Sequence, residues 1–182
     1  MRSNCDGDVI WITGLSGAGK SSLATAVTKH LRCVDNTPVV FLDGDELRSL
    51  FCAISDNFYD REARVNLAMK YSQLCKIISS QGNTVVIATI SMFKEIHKWN
   101  RVNLPGYFEV FLDVPFDILR SRDPLGLYKR FDAGELSNVA GLDLAVDEPE
   151  TPDLKWVFDP STSVETLSKV IITAIEAKKN NA

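Results

Sequence analysis

A glycine-rich stretch near the amino terminus restricts what this chain can fold into more than any other feature. Residues 14–21 read Gly-Leu-Ser-Gly-Ala-Gly-Lys-Ser and fit the pattern G-x-x-x-x-G-K-[ST]. The apolar run at 9–13 predicts a buried strand before it, and the spacing of Leu23, Val27 and Leu31 predicts a helix after it. Because strand, glycine loop and helix follow in this order, we predict a phosphate-binding P-loop rather than an ordinary glycine turn.

The same motif predicts which side chains hold a nucleotide and its metal ion. Lys20 is placed to reach the β- and γ-phosphates of ATP, and Ser21 is placed to hold Mg²⁺. The predicted ATP contacts are Gly14, Leu15, Ser16, Gly17, Ala18, Gly19, Lys20, Ser21, Ser22 and Arg122.

Composition narrows the remaining classes of protein. The chain has 182 residues, which suffice for one domain, and we predict a single domain that spans 1–182. Its net charge of −4 argues against a broad basic surface that would bind nucleic acid. Two histidines and four widely spaced cysteines argue against a zinc site and favour reduced thiols. The first apolar run is too short for a membrane span or signal peptide. We therefore expect a cytoplasmic protein without nucleic-acid or membrane partners.

Apolar strands alternating with amphipathic helices predict a three-layer α/β fold around a five-stranded parallel sheet. The predicted strands are 9–13, 38–42, 84–90, 107–113 and 154–158. Thr162 and Glu165 are predicted to form the capping box of the last helix. A polar, proline-punctuated segment at about 123–150 interrupts the pattern, and we predict a lid that closes over the phosphates with Arg122, Lys129 and Arg130 as its cationic contacts.

Two aspartates follow the second predicted strand. Asp43 and Asp45 flank a glycine at a strand end, where ligands gather in parallel sheets. A carboxylate there can orient a hydroxyl nucleophile, accept its proton, or hold Mg²⁺ through water. The alternative is a turn and helix cap, which one of the two aspartates could supply without any part in catalysis. We predict a catalytic role for Asp45, with Lys20.

Two basic clusters lie on predicted helices. Arg61 and Arg64 stand one turn apart at a helix start, where cations are disfavoured, so an anionic ligand or the nearby Asp60 and Glu62 should compensate them. A second helix carries a basic stripe that is either a solvated face or supplies one or two substrate contacts. The stripe consists of Lys94, His97, Lys98 and Arg101.

A small P-loop domain with a strand-end carboxylate and a basic lid indicates a kinase of a small acceptor. The chain closely resembles the adenylylsulfate kinase family over nearly its whole length. The matching segments are Trp11–Gly17 with Gly19–Ser21, Leu42–Asp45 with Arg48, Glu109–Asp113 with Pro115, Arg122–Pro124 with Gly126–Lys129, Ala133–Glu135, and Gly141 with Asp143. This resemblance implies ATP with Mg²⁺ as donor, the 3′-hydroxyl of a nucleotide as acceptor, and often a homodimer. It also implies that Asp45 is the base or positions the hydroxyl, and that Arg48 contacts the acceptor.

Departures from the family pattern fall on the acceptor side. Leu125 replaces a usual lysine, and Val139 replaces the phenylalanine that stacks on adenine in the family. The Ser-Pro after the third strand is Ser91-Met92, and the segment 91–96 is similar to a capsule-associated branch that includes cytidine diphosphoramidate kinase. The acceptor is therefore expected to be adenylylsulfate or a cytidine diphosphate derivative. The predicted acceptor contacts are Asp43, Arg48, Tyr59, Arg61, Arg64, Ser91, Met92, Phe93, Lys129 and Val139.

A non-enzymatic alternative remains at this point. The chain could be a nucleotide-binding regulatory module that has kept a kinase fold. Retention of both Lys20 and Asp45 argues against it, because such a module has no chemical need for either side chain.

Overall fold

The computed structural model of the protein describes residues 6–33, 36–51 and 60–180. Within those ranges the chain forms five strands and seven helices. The strands are β1 (Val9–Thr13), β2 (Val39–Asp43), β3 (Thr84–Ala88), β4 (Phe108–Asp113) and β5 (Leu154–Val157). The helices are α1 (Lys20–Cys33), α2 (Gly44–Phe51), α3 (Arg61–Ser79), α4 (Lys94–Asn103), α5 (Phe116–Arg122), α6 (Leu127–Asp132) and α7 (Val164–Asn180).

All four strand pairings are parallel, and the strand order is β2-β3-β1-β4-β5. The central strand β1 pairs Ile10 with Val86 of β3 and with Phe108 of β4. Its five residues are buried, which explains why it is a continuous apolar run rather than an alternating one. Because every strand runs the same way, the loops after β1, β2 and β3 meet at one edge of the sheet.

Each face of the sheet is covered by helices, so the predicted three-layer α/β fold is confirmed. Ile10 and Ile12 of β1 belong to a core with α1 and α7, while Val9 and Trp11 belong to a second core with α3 and α4. Full burial of an apolar side chain of this size stabilises the folded state by about 1.5–3 kcal/mol. Because both cores include residues of β1, they fix the position of the strand whose carboxyl end leads into the P-loop. In the described ranges no helix is both long and apolar enough to cross a bilayer.

Two local features differ from the sequence expectations. The segment predicted as an irregular lid contains a short helix, α6, whose first turn is held by the Asp123 carboxylate through the backbone N–H groups of Tyr128 and Lys129. The predicted Thr162–Glu165 capping box is wrong. Ser163 caps α7 by accepting the N–H of Thr166 at 3.1 Å, because the helix begins at Val164 and the residue before it is Ser163. The Thr162 hydroxyl donates to Asp159.

Candidate active site

A cavity of about 790 Å³ opens at the carboxyl edge of the sheet. Its floor is the P-loop and the start of α1, and the ends of β2 and β3 form one wall. The segment after α5 and the connection from β5 to α7 close the other sides. Residues 16–23, 43–45, 88–90, 136–140 and 158–160 are the main lining stretches.

The P-loop takes a backbone shape that requires glycine. Gly14 has a φ of +148°, and a Cβ atom there would lie 2.8 Å from the carbonyl oxygen of Leu112. Gly19 has a φ of +95°, a conformation that other residues rarely adopt. Of the predicted ATP contacts, residues 16–22 and Arg122 line the cavity, whereas Gly14 and Leu15 do not.

Lys20 is the cation at the floor of the cavity. Its Nζ donates a hydrogen bond to the carbonyl oxygen of Leu15 at 2.8 Å. Burial lowers the pKa of Lys20 to about 8, and the nearby carboxylates of Asp45 and Asp43 oppose that shift. An anionic phosphate beside the ammonium would raise the pKa again, so this lysine is suited to bind one.

Ser21 and the two strand-end aspartates form one polar group. The Ser21 hydroxyl donates to Asp43 Oδ2 at 2.6 Å, and the other Asp43 oxygen accepts the N–H of Asp45 at 2.8 Å. Asp43 therefore also holds the first turn of α2, which is the turn role considered for one aspartate. The Asp45 side chain is 69% exposed, and it lies 3.6 Å from Arg48. This leaves the Asp45 carboxylate accessible to a molecule in the cavity.

Gly44 allows that arrangement to fit against β3. A Cβ atom on Gly44 would lie 2.9 Å from the carbonyl oxygen of Ala88 and 3.0 Å from Thr89 Oγ1. The buried Thr89 hydroxyl lines the cavity and is 2.8 Å from the hydroxyl of Ser91. Sequence reasoning did not single out Thr89, although its position directly after a central strand could have indicated it.

The far side of the P-loop carries an aromatic and a guanidinium group. Arg122 donates to the carbonyl oxygen of Gly17 at 3.1 Å, and its guanidinium carbon lies 4.9 Å from the centre of the Phe158 ring. Asp159 and Pro160 line the cavity beside that ring. Sequence reasoning missed these three residues, because β5 is short and the segment after it carries no motif.

Four of the predicted acceptor contacts line the cavity: Asp43, Arg48, Arg64 and Val139. Arg64 reaches from α3 and donates to the carbonyl oxygen of Asn138 at 2.6 Å. Of the two candidate arginines at the start of α3, the structure thus brings Arg64 to the cavity. Asn138 is a further lining residue that sequence reasoning missed.

Five of the predicted acceptor contacts lie away from the cavity lining: Arg61, Ser91, Met92, Phe93 and Lys129. Arg61 donates to Glu95 and Asp147 and lies over the Phe93 ring, so its anionic partner is the protein itself. Met92 and Phe93 are 1% and 3% exposed, since both pack into the fold before α4 begins. Lys129 is exposed on α6. Tyr59 lies outside the described residues.

The basic stripe on α4 pairs with the acidic half of the predicted lid. Lys94 contacts Glu150 at 2.6 Å, and Arg101 contacts Asp153 at 2.6 Å. Residues 147–153 therefore lie along α4, whereas 136–140 and the residues around 124–127 line the cavity. Only the earlier part of the predicted lid is positioned next to the P-loop, because opposite charges hold the later part elsewhere.

Comparison with known proteins identifies the family to which this chain belongs. A family model described as adenylylsulphate kinase matches residues 6–157. The chain belongs to the adenylylsulphate kinase family. It is 37% identical over 142 residues to the cytidine diphosphoramidate kinase of Campylobacter jejuni, covering 78% of this chain and 81% of that protein. It is 36% identical over 173 residues to the adenylyl-sulfate kinase of Aeromonas hydrophila, covering 93% and 85% of the two chains.

The fold comparison agrees with the family assignment. The Mycobacterium tuberculosis APS kinase, solved in complex with AMPPNP and APS, is similar with a TM-score of 0.81 and 30% identity. The similarity covers 94% of this chain and 98% of that one. The predicted family and the prediction of an enzyme are confirmed: the chain is an ATP-dependent kinase of the adenylylsulphate kinase family.

Proposed function

We propose that this kinase transfers the γ-phosphate of ATP to the 3′-hydroxyl of a nucleotide that itself carries an anionic group. One observation carries the proposal. A P-loop lysine, a pair of strand-end aspartates and two arginines from separate helices line the same cavity. The lysine suits the transferred phosphate, an aspartate suits the hydroxyl, and the arginines suit the charge on the acceptor.

ATP is assigned to the P-loop end of the cavity. Backbone N–H groups of the loop and the ammonium of Lys20 would bind its phosphates. Arg122 and Phe158 present flat, stacked surfaces beside that loop and would contact the base. The residues around 124–127 are placed to act as the closing part of a lid that excludes water.

Mg²⁺ is assigned to Ser21 and the neighbouring carboxylates. A hydroxyl and carboxylate oxygens are hard donors of the kind that Mg²⁺ prefers, and the 2.6 Å contact between Ser21 and Asp43 shows that these donors converge. Asp43 is the carboxylate nearest to Ser21, and Asp45 would act through water. When bound, the ion would neutralise charge that develops on the phosphate oxygens.

The acceptor is assigned to the end of the cavity that holds Asp45, Arg48 and Arg64. The accessible Asp45 carboxylate would orient the 3′-hydroxyl and take its proton as the phosphate bond forms. Arg48 and Arg64 would bind the acidic group of the acceptor, because a guanidinium can donate two parallel hydrogen bonds to phosphate-like oxygens.

Two acceptors are candidates for this end of the cavity. We favour a cytidine diphosphate derivative such as cytidine diphosphoramidate. Val139 is 4% exposed and aliphatic, so it offers no broad stacking face, and a pyrimidine needs less stacking surface than adenine does. That choice would give the protein a role in capsular polysaccharide modification. Adenylylsulfate is the second candidate, since the adenylyl-sulfate kinase of Aeromonas hydrophila matches 93% of this chain.

A direct assay distinguishes these possibilities. The purified chain is incubated with ATP and Mg²⁺ and with either acceptor at low concentration, and the 3′-phosphorylated product is followed by mass spectrometry. A clear preference for the cytidine compound supports the favoured acceptor, and a preference for adenylylsulfate supports the second. Absence of transfer to every nucleotide acceptor tested would contradict the proposed class of acceptor, because the kinase would then act on a different hydroxyl compound.

A further inference from the structure

A short turn at residues 138–144 borders the acceptor end of the cavity and is held by one carboxylate. Asp143 Oδ2 accepts the N–H of Asn138 at 2.7 Å, and Asp143 Oδ1 accepts the N–H of Val139 at 2.6 Å. Asn138 has a φ of +59°, in the left-handed region that costs a non-glycine residue energy. Asparagine adopts this conformation more readily than other side chains, and the paired hydrogen bonds from Asp143 fix the direction of the peptide.

The held peptide presents its carbonyl oxygen to Arg64. The distance from the guanidinium to the Asn138 oxygen is 2.6 Å, and the two residues are 74 positions apart in the sequence. Arg64 is half-buried and lines the cavity together with Asn138 and Val139. The orientation of this arginine therefore depends on a carbonyl whose direction is determined by the left-handed turn.

The opposite side of the turn faces the P-loop and is packed against it. A Cβ atom on Gly141 would lie 2.9 Å from both terminal carbons of Leu15, the second residue of the P-loop. Val139, Ala140 and Leu144 are all less than one-tenth exposed. The turn therefore lies between the P-loop on one side and Arg64 on the other.

Asp143 remains ionised at neutral pH in this setting. Burial opposes ionisation, but the N–H groups of Asn138 and Val139 and the positive charge of Arg64 outweigh it and lower the pKa of Asp143. A charged carboxylate accepts both hydrogen bonds more strongly than a neutral one would. The turn is therefore fastened by charge-assisted hydrogen bonds that an uncharged side chain cannot reproduce.

We propose that Asp143 is a positioning residue for acceptor binding: it fastens the Asn138–Val139 peptide so that the Asn138 carbonyl holds Arg64 towards the acceptor. This inference rests on the proposed function, because it assigns Arg64 to the acidic group of the acceptor. Asp143 itself is not expected to touch either substrate. The alternative is that Asp143 stabilises the turn with no effect on Arg64.

A double-mutant cycle separates the two possibilities. Asp143→Asn keeps the size of the side chain but loses its charge and replaces one accepting oxygen with a donor. We expect the KM for the acceptor to rise about tenfold, with kcat and the KM for ATP changed by less than about threefold. In an Arg64→Ala background the same substitution should change the acceptor KM by less than about twofold, because the group on which it acts is gone.

Asp123→Asn is the matched control. The Asp123 carboxylate also accepts two consecutive backbone N–H groups, from Tyr128 and Lys129, each at 3.1 Å, but its turn follows Arg122 at the ATP end. We expect this variant to raise the KM for ATP and to combine additively with Arg64→Ala. Additive effects of Asp143→Asn and Arg64→Ala on the acceptor KM would overturn the positioning role. So would an Asp143→Asn variant that loses thermal stability while its acceptor KM is unchanged.

The positioning role of Asp143 can also be tested by nucleotide binding, without any phosphoryl transfer. If the wild-type chain phosphorylates neither cytidine diphosphoramidate nor adenylylsulfate, the same cycle is measured by calorimetric titration of cytidine 5′-diphosphate. Non-additive losses of affinity in that titration would support the positioning of Arg64 by Asp143 independently of catalysis. Failure of the wild-type chain to bind this nucleotide would overturn the inference together with the assignment of the acceptor end.

Discussion

The two ends of the active-site cavity are built in different ways. The proposed ATP end comes largely from consecutive residues, 16–22, which present backbone N–H groups and one lysine to the cavity. The acceptor end combines Arg48 of α2, Arg64 of α3 and the turn at 138–144, which are far apart in the sequence. A binding site formed by one continuous loop keeps its shape when residues elsewhere in the chain change. A binding site formed by several elements can become selective for a different ligand when any one of those elements changes.

The cations at the two ends also differ in their surroundings. Lys20 lies on the cavity floor, and burial lowers its pKa to about 8. The Arg48 side chain is 48% exposed and close to a carboxylate. Electrostatic attraction is stronger where water is excluded, so charge at the ATP end should contribute more per residue than charge at the acceptor end.

The largest expected effect comes from removing the cation of the ATP end. We expect Lys20→Ala to lower kcat/KM by about a thousandfold or more, because the charge on the transferred phosphate loses its main protein partner. The measurement is a steady-state phosphoryl-transfer assay, and Lys129→Ala is the control because that exposed lysine lies outside the cavity lining. Equal losses of activity in both variants would contradict the assignment of the transferred phosphate to Lys20 rather than to Lys129.

Removal of the accessible carboxylate should be the next largest effect. Asp45→Asn is expected to reduce kcat by about 10²–10⁴-fold, which is the usual contribution of a general base. Asp113→Asn is the matched control, since Asp113 also ends a strand but contacts Lys155 at 2.9 Å away from the cavity lining. A kcat that survives the Asp45 substitution would mean that this residue does not act on the hydroxyl.

A pH titration tests the environment of Lys20 directly. The pKa of about 8 in the free protein is below the ordinary value, so about half of the Lys20 side chains are neutral at pH 8 and most are neutral one pH unit higher. Bound phosphate favours the charged form, so ATP binding must then take up a proton, and affinity should fall about tenfold per pH unit above pH 8. Calorimetric titrations with ATP between pH 7 and 9.5 measure this slope. Constant affinity over that range would show that Lys20 is not desolvated.

The lowered pKa of Lys20 has the opposite effect on the stability of the fold: stability should rise with pH, whereas the affinity for ATP should fall. A lysine whose pKa is lowered in the folded state binds fewer protons there than in the unfolded chain, which has a pKa near 10.5. Its contribution to the free energy of unfolding should therefore become more favourable as the pH rises from about 8 towards 10.5. Lys20→Ala should remove this component from the pH dependence of thermal unfolding.

The smallest effect is expected from Arg61. Arg61→Ala should leave the acceptor KM within about twofold and reduce stability by less than about 1 kcal/mol, because its pairs with Glu95 and Asp147 are partly exposed. Arg64→Ala, one turn further along α3, should raise the acceptor KM about tenfold. The two variants are compared by steady-state kinetics and urea unfolding. An acceptor KM that depends equally on both arginines would contradict the geometry of the acceptor end.

The parts of the fold and site that could be predicted from the sequence are the local ones. Val9–Thr13 and the glycine loop after it show their structure through consecutive residues, and the three-layer α/β fold follows from the alternation of apolar runs and helical periodicity. Asp43 and Asp45 could be singled out because the strand before them points both towards the edge where ligands collect. Lys20 was identifiable from its place in the motif alone.

Long-range charge pairing could not be predicted in the same way. Arg61 and Arg64 have equivalent local surroundings, but one meets Glu95 and Asp147 whereas the other meets the Asn138 carbonyl. The sequence pattern assigned the acidic residues up to about 150 to the lid, but the segment 147–153 lies instead along the basic stripe of α4. The sequence shows the basic and the acidic residues, but it does not show which acidic residue will lie next to which basic one in the folded chain.

By itself, the sequence determined the kinase family and the layered fold. It also predicted the ATP end of the site, because a phosphate-binding loop uses the backbone of neighbouring residues. Only the tertiary structure decided which arginine lines the cavity, which half of the 123–150 segment reaches it, and that Asp143 holds the turn facing Arg64. Those features depend on the distances between side chains far apart in the chain. Such distances exist only after the helices have packed on the sheet.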